Sequence, residues 1–272
     1  MSSQCEAGAM EVSHEVAISR TRRTWFSVMA VVFALIFGIG FFSWIGLVSG
    51  WFETGDRQIH RVHDIGSSGV ATGILVALPL LILAWRRDDI ALLQMLGVAG
   101  VATVIGAILA TEPGYLLFVV ILAVPVVVLL AISHGWRRYL APGAGWAPEL
   151  LVAALVAAPF WGAFAWRMAR LQADLPSDDP HVQEFHWIGM AVMAIGLVLM
   201  VILAATRTQG WRIVAWLTGI GAAVYGASSI AFRSFQGSGL PYPSSEGLVW
   251  GTLAILWGLA IIALAERRAR AA

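Results

Sequence analysis

Eight stretches of about twenty residues run through this chain almost without charge: 25–48, 65–85, 90–110, 115–133, 149–166, 185–205, 211–232 and 247–265. At about 1.5 Å of rise per helical residue, each reaches roughly 30 Å, the thickness of the hydrocarbon core of a bilayer. No water in that layer can satisfy an open backbone, so such stretches must be helices whose amides bond internally. The expected fold is all-α: a polytopic membrane helical bundle of about eight transmembrane helices. Composition points the same way, since 59% of the 272 residues are hydrophobic and only 12% charged. Pro79, Pro125 and Pro159 fall inside runs, where neighbouring helices compensate a lost amide, and they predict kinks rather than ends. The first run is too long for a signal-peptide core and lacks a small-residue cleavage site, so it reads as a retained span.

Arginine supplies the orientation. All 17 basic residues are arginine, and eight crossings put twelve of them at the termini and even-numbered connections. Arg57, Arg61, Arg167, Arg170 and Arg233 occupy the odd ones. The positive-inside rule then sets both termini in the cytoplasm and the chain in the cytoplasmic membrane. The expected divisions are a tail over 1–23, a four-helix half over 24–135, a linker over 136–148, a second half over 149–266 and a tail over 267–272. The bilayer is the partner this implies, and a second copy or another membrane protein is left open. A net charge of +1 speaks against nucleic acid, and Cys5 alone cannot form an intrachain disulfide.

Polar chemistry gathers on the side opposite the arginines. The run Arg57-Gln58-Ile59-His60-Arg61-Val62-His63-Asp64-Ile65-Gly66 is echoed 123 residues later by His181-Val182-Gln183-Glu184-Phe185-His186-Trp187-Ile188-Gly189. The offset aligns His63 with His186 and Gly66 with Gly189, and it suggests two parallel four-helix repeats about an axis along the membrane normal. On a helix that begins early, Asp56, His60, His63 and Asp64 share a stripe. Gln183 and His186 form the corresponding face, with His181 and Glu184 expected to point elsewhere. Imidazoles among carboxylates can ligate zinc, copper or iron, or a haem axially. The plain alternative is a set of solvated loop charges at headgroup level. His134 belongs to the arginine-rich side and cannot join the group.

The spans themselves offer less. Gly46 with Gly50 and Gly69 with Gly73 have the small-xxx-small spacing of close helix packing. Trp25, Trp44, Trp51, Trp85, Trp136, Trp187, Trp211 and Trp250 read as an interfacial belt. Gln94, Thr103, Tyr225, Ser228 and Ser229 are the polar side chains within spans, and the lack of a deep ionisable residue there counts against coupled transport.

Two resemblances follow from these residues. The histidine-bearing entry to the second span and His186-Trp187-Ile188-Gly189-Met190 at the sixth are similar to uncharacterised multi-pass membrane proteins of actinobacteria, which implies no activity. Two four-helix halves and the entry Ile59-His60-Arg61 resemble haem A synthases, whose haem ligands are histidines on the second, fourth, sixth and eighth spans. That resemblance would make His60 or His63 and His186 haem ligands, with Glu53 or Asp56 as the carboxylate of the first outer connection. The fourth and eighth spans offer only Tyr115 and Tyr242 in place of histidine. The reading reached is a membrane binding or accessory component with a metal or haem site of His60, His63 and His186, supported by Asp56, Asp64, His181 and Glu184. A haem- or metal-dependent oxidoreductase and a small-solute transporter are the alternatives.

Overall fold

The computed structural model describes residues 20–141, 143–235 and 246–270. Most of the expected 1–23 tail and the last two residues lie outside that range. Among the described residues the chain forms helices and no strands. Eight helices are long and apolar enough to cross a bilayer: α1 (Arg20–Gly40), α3 (Gly55–Leu83), α4 (Ile90–Leu109), α5 (Pro113–Ser133), α7 (Pro148–Asp174), α9 (His186–Ala205), α10 (Trp211–Ala231) and α11 (Gly247–Arg270). Three are short: α2 (Ser43–Ser49), α6 (Trp136–Leu140) and α8 (Pro180–Gln183). This is a multi-pass helical membrane protein. Pro79, Pro125 and Pro159 lie within helical segments, as expected.

The bundle is built in two shells. α3, α4, α9 and α10 are more than half buried, α9 most of all, whereas α1, α5, α7 and α11 bury a third or less of their apolar windows. The outer helices turn Val28, Val120, Val156, Leu256 and other large apolar side chains outward, which suits a solvent of lipid chains. One end is tied together by ionic and backbone links. Arg138 bonds Asp88 and Gln209, Ala147 N donates to Ala205 O, and Arg268 pairs with Glu149. The opposite end carries His60, His63, His181 and His186, while His134 lies at the arginine-rich end.

The first apolar run is two helices rather than one. Phe42 takes a left-handed conformation (φ 55°), and Ser43 Oγ donates to the orphan carbonyl of Phe37 at 2.6 Å. Gly38 makes the reversal possible, because a Cβ there would stand 2.4 Å from the Trp44 ring. Trp44 Nε1 then donates to Gly73 O at 3.2 Å, laying α2 on α3. Both small-residue pairs lie in this contact, each against the facing helix: a Cβ on Gly69 would be 2.8 Å from Leu47 Cα, and one on Gly50 would be 3.1 Å from Arg61 O. Their packing role holds. From Asp64 to Ala77, α3 is wound wide, as a π-helix.

The tryptophan belt is only partly realised. Trp25, Trp85 and Trp136 are exposed, but Trp187 is fully buried and Trp250 nearly so. Both are core residues, drawn in by aromatic partners: Trp187 meets His63 edge-on, and Trp250 stacks on Phe164.

Candidate metal centre

α3 starts ten residues before the apolar run, with a tight 3₁₀ turn over Gly55–His60 that continues helically through His63. His60 and His63 therefore face the same way, into the bundle, and both are buried. The loop before them is held by Arg61, whose Nε donates to Glu53 O at 2.7 Å while its guanidinium lies 5.0 Å from the Phe232 ring centre.

The second histidine run is cornered. Asp179 caps α8, its Oδ1 accepting from His181 N at 2.9 Å and Val182 N at 3.2 Å. Phe185 then adopts a left-handed conformation (φ 55°), so α8 and α9 are separate helices. Gln172, buried on α7, fastens the corner: Nε2 donates to Val182 O at 3.1 Å and Oε1 accepts from Ile188 N at 3.4 Å. Nothing in the sequence pattern marked Gln172.

Both runs converge on one cluster. His60 Nδ1 lies 3.0 Å from His186 Nδ1. The His63 and His186 rings are parallel within 4° at 5.5 Å, and His181 sits 4.6 Å from His60 and 4.7 Å from His63 by ring centres. All four imidazoles are at least nine-tenths buried. The corner at Phe185 corrects the helical-wheel expectation for His181 and Glu184. His181 turns in to the histidines, and Glu184 Oε2 comes within 3.3 Å of His186 Nε2. Asp64 Oδ1 lies 3.4 Å from the same nitrogen. Asp56 is exposed on the first turn of α3 and outside the cluster.

Carboxylates are layered behind the rings. Arg57 Nη2 is 3.7 Å from Asp64 Oδ2, and Arg57 Nε is 3.6 Å from Glu53 Oε1. Burial and the adjacent Asp64 carboxylate push the Glu53 carboxyl above its ordinary range, against the pull of Arg57.

The helices carrying the cluster cross closely at two glycines, each seated against a side chain of the other helix. A Cβ on Gly189 would stand 2.6 Å from Ser67 Cβ, and one on Gly66 would stand 2.5 Å from Met190 Sδ and 3.3 Å from the Tyr225 ring. The residues that align at the 123-residue offset are thus the crossing point of α3 and α9, one turn below the histidines.

One donor atom each from His60, His186 and Glu184 lies within 4.8 Å of the other two. Two nitrogens bound about 2.0–2.1 Å from one tetrahedral ion stand roughly 3.3 Å apart, so the observed imidazole pair is close to a ligand edge already. No family model, no curated protein and no solved structure matches this chain, so the chemistry of the centre has to be read from its own geometry.

Proposed function

We propose that this protein is a metal-binding component of the cytoplasmic membrane, holding one transition-metal ion at the outer face through His60, His186 and Glu184. The observation that carries this reading is the convergence of those three donors within 4.8 Å, His60 from α3 and His186 from α9 both buried, and Glu184 reaching in from the exposed α8–α9 corner. Imidazole with one carboxylate suits zinc, iron or copper. Three protein donors leave a coordination position for water or substrate, the pattern of reactive rather than closed sites. Asp64 orients the His186 ring, as carboxylates behind metal-bound histidines do, while His63 and His181 wall the ligands from water. The outer placement follows from the arginine-rich opposite end.

The shells support two parallel four-helix halves. Helices four spans apart have matching burial, α3 with α9, α4 with α10, α1 with α7 and α5 with α11. A haem reading fits less well. Nitrogens on opposite sides of one iron stand about 4 Å apart, whereas His60 and His186 are in contact at 3.0 Å. Transport is also less favoured. Gln94 donates to Tyr139 O at the arginine-rich end, and Ser228 Oγ donates to Tyr225 O, so these groups do not line a shared path.

Equilibrium dialysis of the purified, chelator-washed protein against zinc or cobalt(II) tests the reading. One ion per chain is expected, with His60→Ala, His186→Ala and Glu184→Gln each weakening affinity by more than about a hundredfold and Asp64→Asn by about ten- to a hundredfold. A protein that takes up no ion, or three ligand variants that bind like the parent, would refute it.

A further inference from the structure

We infer a second binding site, at the arginine-rich end, that takes the phosphate headgroup of an anionic phospholipid and lays one acyl chain along α1. A cavity of about 880 Å³ opens there between the start of α1, the α3–α4 corner and the α5–α6 corner. Arg22, Arg23, Arg86, Arg87 and Arg138 line it against only two carboxylates, Asp88 and Asp89. Those two are already used, Asp89 by Arg86 and Asp88 by Arg138. Among the described residues, no carboxylate lies within ion-pair distance of Arg22, Arg23 or Arg87. Arg87 is instead aimed by a 2.6 Å bond from Nε to Ser27 Oγ.

The floor is apolar, made by Phe26, Leu83 and Leu93. A free inorganic anion gains nothing from such a floor; an amphiphile does. The cavity also adjoins an apolar groove. A second concavity of about 430 Å³ shares Trp85 and Arg87 with the first and runs along Val28, Val31 and Val32 on the outward side of α1. Val28 and Trp85 are exposed, so the groove opens toward lipid. Ser27 Oγ donates to Ala84 O at 2.6 Å and fixes the wall between the two compartments. Basic pockets between helices at a cytoplasmic surface bind anionic headgroups by this combination of surplus charge and adjoining chain contact.

Native mass spectrometry of the full chain in detergent, titrated with phosphatidylglycerol, phosphatidylcholine or inorganic phosphate, tests the site. Phosphatidylglycerol should bind at least about tenfold more tightly than phosphatidylcholine, and millimolar phosphate should not displace it. Replacing Arg22, Arg23 and Arg87 together by glutamine should weaken phosphatidylglycerol on the order of a hundredfold, about fivefold per arginine, and abolish the headgroup preference. Arg22→Gln alone, on the exposed first turn of α1, keeps the test valid if the triple variant fails to fold. Val28→Trp should weaken long-chain phosphatidylglycerol but leave the dihexanoyl form unchanged. Equal binding of the two lipids, full displacement by phosphate, or an unaltered preference in Arg22→Gln would each overturn the inference.

Discussion

Gly189→Ala separates the geometry of the metal centre from the identity of its ligands. The added methyl would meet Ser67 Cβ at 2.6 Å, roughly 1 Å inside ordinary van der Waals contact, and Ser67 Cβ is anchored to the α3 backbone and cannot rotate away. α3 and α9 must therefore part by about that much, at a cost of about 1–3 kcal/mol typical of overpacking. His186 stands one turn above this crossing and His60 about two, and they would be drawn apart with the helices. Cobalt affinity should fall by about ten- to a hundredfold although no ligand has changed, as second-shell displacements do. Gly66→Ala is the internal comparison, because its methyl meets the flexible Met190 thioether and should cost less. Thermal unfolding in detergent reads the packing cost, and the cobalt ligand-field spectrum reads the site. Adding Ser67→Gly to Gly189→Ala should restore both. Wild-type affinity in Gly189→Ala, or no rescue by the second change, would refute the reasoning.

Two further outcomes follow from other parts of the structure. Glu53 faces Asp64 and Arg57, with Arg61 held to its backbone carbonyl, and its raised pKa means the folded chain keeps a proton that the unfolded chain releases near pH 4.5. Stability should consequently fall as pH rises from about 4.5 through the raised value, and Glu53→Gln should flatten that part of the profile measured by thermal unfolding. In the outer hairpin, Gly251→Ala would put a methyl 2.4 Å from Gly226 O and should destabilise α10 and α11 by about 1–3 kcal/mol. Gly162→Ala, which meets nothing within 4 Å on α7, should be neutral or stabilising by about 0.5–1 kcal/mol.

The spans were legible because bilayer thickness turns apolar length into helix, whatever the tertiary contacts. That His60 and His63 share a face was legible for a similar reason: three-residue spacing on a helix that starts early leaves both on one stripe. Where the chain changes direction, that logic stops. The helical wheel over 181–189 assumes a continuous helix, but Phe185 breaks it in a conformation that bulky residues rarely adopt, and this brings His181 and Glu184 to the cluster. The same conformation at Phe42 divides the run 25–48 with no proline or charge to announce it, only Ser43 and two glycines nearby. Gln172 was invisible because its two bonds reach another helix and have no local pattern. Trp187 and Trp250 were assigned to the interface by position along their spans, but neighbouring side chains decide whether such a ring meets lipid or core.

The wide winding of α3 between Asp64 and Ala77 has a mechanical meaning for the histidines at its head. In a helix, the direction of a side chain is the running sum of every residue's turn below it. π and α windings turn by different amounts per residue, so converting even one residue of this segment rotates everything above it about the axis. His60 and His63 are thus aimed by the pitch of a segment that reaches down to Ala77, much as a hand is aimed by its forearm. A substitution near Gly73, deep between Trp44 and Ser43, would then be felt at the histidine cluster as a twist rather than as a lost contact.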